Sequence, residues 1–363
     1  MVESEELQAL LALQEFSGIG SILGQRLVAH FGSAQAVFAA DPKQLAEVHG
    51  VGFPLARALS GYKDLHRFKK ILLDVQSKGY EVLPVSSERY PEGLRHIPDA
   101  PLVMFYEGSA EAFTKRMVGI VGTRHATPYG LEQTRALVKG LASTGATIVS
   151  GLAYGIDAAA HEAALKDGLP TVAVVAHGLN HVYPPDHVGL AHRIKAGGGL
   201  LTEHLPFVGP ERAHFPMRNR LIAGLCDVLV VVESGKRGGA MITAKLARDY
   251  HREVFAIPGK ITDPMSQGCL ELISGSWAAL LADPSVLTES MGWHTVGKQT
   301  DLFTALSGEE GAIVSFLKEH GPVSVEALAE TLQKPLSHVS ARITHLELEG
   351  WVVRRPGGML SLA

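Results

Sequence analysis

The chain has 363 residues, too many for one ordinary core, and its 46% hydrophobic content is enough for two or three domains. A formal net charge of −4 and seventeen scattered histidines exclude a molecule whose whole field draws in nucleic acid, so an anionic partner must be held by a local basic patch. No apolar run approaches the ~18 residues of a membrane span. The start MVESEELQ lacks a signal-peptide pattern, and the thiols Cys226 and Cys269 have neither disulfide nor thiolate-metal spacing, so a cytoplasmic protein without membrane or metal contact is expected.

Residues 1–79 read as short helices. FSGIGSILGQRLVAHFG (16–32) and VHGVGFPLARALSGY (48–62) each place Gly-apolar-Gly before a helix, which resembles a tandem helix-hairpin-helix. There Gly18, Gly20, Gly50 and Gly52 permit tight hairpins whose amides meet a phosphate. The same glycines would equally turn a small helical bundle, and only Arg57 and Lys63 add positive charge near the second hairpin.

Residues 80–287 repeat an apolar run, a Gly-rich loop and a helix start. The runs MVGIVG (117–122), ATIVSGL (146–152), PTVAVVA (170–176), DVLVVVES (227–234) and EVFAIPG (253–259) are nearly continuously apolar, as expected of strands buried on both faces of an open parallel sheet. EVLPV and PLVMFY add two strands before them, and a helix surrounds Cys269–Ile273. A polar linker follows at 288–301. In residues 302–363, three helices and a closing hairpin suit a winged helix-turn-helix, with 336–349 as recognition helix. Its reading face offers Ser337, His338, Ser340, Arg342 and His345, with Arg354 and Arg355 on the wing. Glu347 and Glu349 thin that charge, so a protein-interaction role competes with DNA binding.

Loops after the carboxyl ends of parallel strands converge on one crevice, which makes it the expected binding site. Gly122 lets a ligand approach the backbone, the following helix N-terminus favours an anion, and Arg124 adds a positive fork, unless it serves a surface ion pair. The loop is not G-x-G-x-x-G, so a dinucleotide is disfavoured and no cofactor is expected. Asp157 reads as a helix cap, and its i+4 spacing to His161 fits helix packing as well as an acid–base pair. Arg212, Phe215, Arg218, Asn219 and Arg220 combine an aromatic face with guanidinium groups, as a single nucleic-acid strand requires. Some of these arginines are expected instead to pair with Glu203 or Glu233.

The ordered set GTR, SGLAYGID with HEAAL, GLNHVYPPDH, LLTEH, FPMRNRLIAGL, VVVES, MITAKLA and VFAIPG resembles the DNA-processing protein A (DprA/Smf) family across about residues 80–280. The resemblance implies an α/β fold: an extended Rossmann-like sheet flanked by the helix-hairpin-helix (SAM-like) and winged-helix sections. It implies a non-catalytic protein that binds and protects single-stranded DNA, loads RecA onto strands covered by single-strand-binding protein during natural transformation and recombination, and forms a homodimer. By position, the DNA pocket maps to Arg124, Arg212, Phe215, Arg218, Asn219 and Arg220, with Ser150 and Gly151 lining it, and the dimer contact to Leu270 and Ile273. The chain departs from the family pattern at RGGA (237–240), at Thr202 and at Gly275-Ser276. The competing class is a nucleotide-binding phosphoribohydrolase (lysine-decarboxylase-like), whose loop carries a catalytic glutamate. Lys245 stands there in this chain, and an ammonium cannot perform that proton transfer.

Overall fold

Apolar runs too short to be helices and buried on both sides form the centre of the structure. It is a computed structural model that describes residues 2–113, 116–293, 309–348, 351–355 and 359–362. The chain divides into two compact units, Met1–Trp293 and His294–Ala363.

The first unit begins with helices α1 (Val2–Gln14), α2 (Ser21–Phe31), α3 (Ala34–Ala39), α4 (Pro42–Ala46), α5 (Phe53–Ser60) and α6 (His66–Ser77). Gly18 and Gly50 take positive φ (87° and 97°) immediately before α2 and α5, the conformation for which each hairpin uses glycine. A nine-stranded sheet follows: β1 (Glu81–Pro84), β2 (Val103–Gly108), β3 (Met117–Val121), β4 (Thr147–Ser150), β5 (Thr171–Val174), β6 (Gly199–Thr202), β7 (Val228–Val231), β8 (Glu253–Ala256) and β9 (Ala279–Leu280). Their order is β1-β2-β6-β5-β4-β3-β7-β8-β9. Strands β3 to β9 run parallel as expected, whereas β2 runs opposite to them beside β6, and the edge strand β1, antiparallel to β2, returns to their direction.

Two strands lay outside the predicted runs. The four residues of β6 follow Gly197 and Gly198 and open on a third glycine, Gly199, which lies so close to Tyr106 that an added Cβ would stand 2.3 Å from its ring. The two residues of β9 are exposed and too short for any periodicity. Helix α7 (Glu92–Arg95) precedes β2. Helices α8 (Pro128–Leu141), α9 (Ile156–Lys166) and α14 (Pro284–Ser290) pack one apolar layer with Val118, Ile120, Ile148 and Val230. Helices α11 (His214–Leu225), α12 (Gly239–Asp249) and α13 (Gln267–Ser274) pack the other with Val121, Val149, Val174 and Val231. Alternate residues of one strand thus enter opposite layers, as the period of two demands. Helix α10 (Val188–Gly197) joins α1–α6 in a third cluster that includes Phe105, Ala173 and Leu200 of the sheet.

That shared cluster makes the helical section and the sheet one unit across the boundary placed at 79/80. The end placed at 287/288 falls inside α14, and Trp293 is buried with Leu281 and Leu287, so residues 288–293 belong to the first unit rather than to a linker. The remainder of the expected linker, 294–301, lies outside the described residues.

The second unit contains α15 (Glu309–His320), β10 (Val323–Ser324), α16 (Val325–Thr331), α17 (Leu336–Leu348), β11 (Val352–Arg355) and β12 (Met359–Leu362), a winged-helix arrangement with its own core around Val314, Leu328, Ile343 and Leu360. Arg342 and His345 of the expected reading face both lie against Glu310, at 3.4 and 3.3 Å, and the wing's Arg354 pairs with Glu347 at 2.9 Å. Glu349 lies outside the described residues.

The seam between helices and sheet turns on Gln14. Its amide donates to Val103 O and Glu203 O, both at 3.0 Å, and accepts from Val103 N at 2.8 Å. Gln14→Ala leaves a buried strand-edge donor unpaired and should lower unfolding free energy by about 1–3 kcal/mol in denaturant titration. An unchanged midpoint would show that water replaces the amide without cost.

Candidate nucleic-acid interface

The chain reverses direction across the sheet between β3 and β7, and the carboxyl ends of these strands border the crevice that such a switch creates. Glycines make the loops fit. Gly155 has φ 76°, and a Cβ there would lie 2.3 Å from Thr123 O; Ile156 N donates to that same oxygen at 3.2 Å.

One expectation fails at the first loop. The N-terminus of α8 is already occupied by a carboxylate of the chain itself. Glu233, 1% exposed, accepts from Thr127 N at 3.0 Å and from the Thr127 hydroxyl, while Thr127 Oγ1 caps Gly130 N at 3.2 Å. The internal anion satisfies the helix dipole, so this terminus offers no vacancy to a ligand. Asp157 is not the cap of α9 either. It is the second residue of the helix, and its carboxylate reaches back to Ala153 N at 3.3 Å. Burial raises its pKa, against the pull of Arg218. His161 is fully buried, with Nδ1 2.7 Å from Thr171 Oγ1. Because that hydroxyl donates to Ile148 O, it accepts from the imidazole, and burial holds His161 neutral, with its pKa down at about 3. The helix-packing alternative therefore describes Asp157 and His161.

Helix α11 carries Arg218 and Arg220 two residues apart, on opposite sides, and both are buried because its second half is enclosed nearly all round. Arg218 is 4% exposed; its Nη1 donates to Gly151 O at 2.6 Å and to Val174 O, and Nε donates to Asn219 Oδ1 at 3.2 Å. It braces the end of β5 to the loop after β4. Burial lowers its pKa to about 10, with Asp157 opposing the shift. Arg220, 8% exposed, pairs with Glu203 and lies 3.6 Å from Asp99, and it donates to Asp99 O at 2.7 Å. Burial raises the Glu203 pKa, chiefly against Arg220. Arg220 Nη2 also lies 3.4 Å from Ser21 Oγ at the start of α2, which ties the helix-hairpin-helix section to the sheet. Ser150 is likewise buried, donating to Ile120 O at 2.6 Å, and does not line the crevice as expected. Arg220 and Ser150 thus hold the fold because their hydrogen bonds are all spent inside it.

The outward groups are Arg124, Arg212, Phe215 and Asn219. Arg124 lies 5.3 Å from the centroid of the Phe215 ring, and Tyr183 meets that ring edge-on at 5.6 Å. A cavity of about 560 Å³ opens beside them, lined also by Gly151 and Tyr154. The Tyr154 hydroxyl donates to Asp186 at 2.7 Å. Arg212 is exposed and has no ion pair among the described residues. Sequence reasoning missed Tyr154 and Tyr183; the signal was an aromatic within each strand-end motif, SGLAYGID and NHVYPPD. Leu270 and Ile273 are half-buried on α13, and Ile273 packs against the sheet core. Among the described residues, no group of three or more His, Cys, Asp or Glu is placed to hold a metal, and no helix is long and apolar enough to cross a membrane.

Arg220→Ala leaves Glu203 buried without its cation and should cost about 3–5 kcal/mol of stability by chemical denaturation. Arg124→Ala, at an exposed site, should stay within about 0.5 kcal/mol of the parent. A reversed ranking would reassign the two arginines.

Comparison with known proteins places these features in one family. A model described as DNA recombination-mediator protein A matches residues 81–292, a DprA winged helix domain matches 300–358, and a SAM-like helix-hairpin-helix tandem matches 10–59. The chain is 32% identical to Protein Smf of Synechocystis sp. over 384 residues, covering 96% of each. The X-ray structure of DNA processing protein A from Streptococcus pneumoniae superposes with TM-score 0.67 at 31% identity, covering 79% of this chain and 97% of that one. A structure of the Helicobacter pylori DNA processing protein A, described for its single-stranded DNA binding mode, superposes with TM-score 0.53 at 30% identity, covering 58% and 95%.

Proposed function

For a chain that belongs to the DNA-processing protein A (DprA/Smf) family, we propose a role as a non-catalytic protein that binds single-stranded DNA in its crevice, protects it, and loads RecA onto it in natural transformation and recombination. The observation that carries the strand-binding reading is the juxtaposition of Arg124 over Phe215, with Tyr183 at its edge, in an open cavity. An unstacked base can lie on such a ring while guanidinium groups meet the phosphates, and a base inside a duplex cannot reach it. Arg212, exposed one turn before Phe215, supplies a second phosphate contact, Gly151 completes the lining, and Asn219 lines the cavity next to it. Arg218 shapes the floor, whereas Ser150 and Arg220 act through the fold. The single-stranded DNA named for the Helicobacter pylori relative supports the ligand class. Action on RecA-bound or single-strand-binding-protein-covered strands rests on family membership. The non-enzymatic reading is supported by Lys245, exposed on α12, where the phosphoribohydrolase chemistry needs a carboxylate.

Phe215→Ala should weaken binding to an oligonucleotide by about 1–3 kcal/mol in a fluorescence titration. Arg124→Ala should also flatten the plot of log affinity against log salt by about one unit. Unchanged affinity in the first variant would sink the stacking proposal, and an unchanged slope in the second would remove Arg124 from the phosphate contacts.

We also infer a homodimer through the face of α13. Leu270 and Ile273 remain half-buried there, beside the exposed apolar groups Trp277 (45%) and Leu280 (46%) that follow in the chain. Two crevices on one strand raise affinity by effective concentration. Ile273→Glu should stay folded, run as a monomer in analytical ultracentrifugation, and lose affinity chiefly for long oligonucleotides. A dimeric or unfolded variant contradicts this interface.

A further inference from the structure

Next to the aromatic cavity lies a second one of about 450 Å³ at the switch point itself, within the ~300–1,000 Å³ usual for small-molecule sites. Three guanidinium groups line it: Arg124, Arg218 and Arg237. None of them has a carboxylate within ion-pair distance among the described residues. Arg218 is 4% exposed, and its remaining nitrogen, Nη2, has no hydrogen-bond partner among the described residues. A buried cation with an idle donor calls for a counter-charge. The wall opposite is the N-terminus of α12, where Gly238 is the N-cap and supplies no side-chain acceptor; Met241 N donates to Gly238 O at 3.1 Å, and the amides of Gly239 and Ala240 have no partner among the described residues of this eleven-residue helix. Here, unlike at α8, no internal carboxylate among the described residues fills the position. The acid lining the cavity is Asp157, and its carboxylate is engaged by Ala153 N.

From these groups we propose that the switch-point cavity is a separate site for a 5′-phosphomonoester, with the nucleoside directed over Arg124 towards Phe215. Three guanidinium groups against one carboxylate leave excess positive charge. A monoester carrying about −1.5 to −2 balances that excess better than the single charge of a backbone diester. Planar guanidinium forks and helix amides both suit a phosphate's oxygens. The occupant is a free nucleoside 5′-phosphate or the phosphorylated 5′ end of a strand. Only the second source rests on the strand-binding reading.

Calorimetric titration of the full chain with thymidine 5′-phosphate and with thymidine tests the site. The phosphate should strengthen binding by about tenfold or more, and R237A, which changes an exposed side chain, should abolish most of that advantage with its melting temperature unchanged. Oligonucleotides of one sequence with a 5′-phosphate or a 5′-hydroxyl then separate the sources. A preference for the phosphorylated end, lost in R237A, identifies the strand end. Equal binding of the two strands, with the monophosphate preference retained, identifies the free nucleotide. Equal binding of thymidine and its phosphate overturns the proposal, as does an R237A variant that keeps the full preference. A chain that binds the monophosphate but no 5′-hydroxyl strand would refute strand binding and leave this site standing.

Discussion

The Arg218 guanidinium ties Gly151 O and Val174 O together behind the crevice, and the geometry of every outward group depends on that brace. With almost no solvent, the charge stays where backbone carbonyls accept its protons, and Gly151 must lack a side chain because a Cβ would sit 2.6 Å from the guanidinium carbon. Fixing the β4 loop in turn fixes Ala153 to Gly155, and therefore the position of Tyr154 beside Phe215. Helix α11 can present Phe215 to the open cavity only because the same helix commits Arg218 and Arg220 to the interior. The enclosed second half of α11 holds the structural groups, and its first turn presents Phe215.

A second constraint is electrostatic. The chain is net acidic, so strand attraction must come from a few cations kept free of internal acids. The structure meets that condition by giving the acids other work: Glu233 satisfies α8, Glu203 and Asp99 hold Arg220, and Asp157 folds back onto the loop that precedes it. Arg124 is left over an aromatic ring, a contact that orders the side chain without neutralising it. In the winged-helix unit the opposite holds, since Glu310 engages Arg342 and His345 and Glu347 engages Arg354.

Most of the sheet was legible because strands buried on both faces leave an unbroken apolar signature, as in 117–121 and 228–231. The reversed direction of β2 between β1 and β6 carried no sign in the sequence, and β6 was hidden by its glycines. Within the site, the structure brings Arg124 and Phe215 together beside the cavity, and the sequence could not distinguish Arg218 and Arg220 from them. Residue type marks the chemistry, whereas exposure depends on how deeply each turn of α11 is enclosed, and from Arg218 on it is buried nearly all round. Ser150 misled for the same reason: the final residue of a parallel strand can point into the layer below. Glu233 was visible only as a possible arginine partner, because its actual partner, Thr127, is more than a hundred residues away.

The central claim is that outward aromatic and guanidinium groups select an unstacked strand while Arg220 and Ser150 act through the fold. Titration of fluorescent single-stranded and duplex DNA of equal length across a salt series tests it most directly. The account predicts much tighter binding of the single strand, with affinity falling as salt rises. Equal affinity for the two forms, or affinity indifferent to salt, would contradict it.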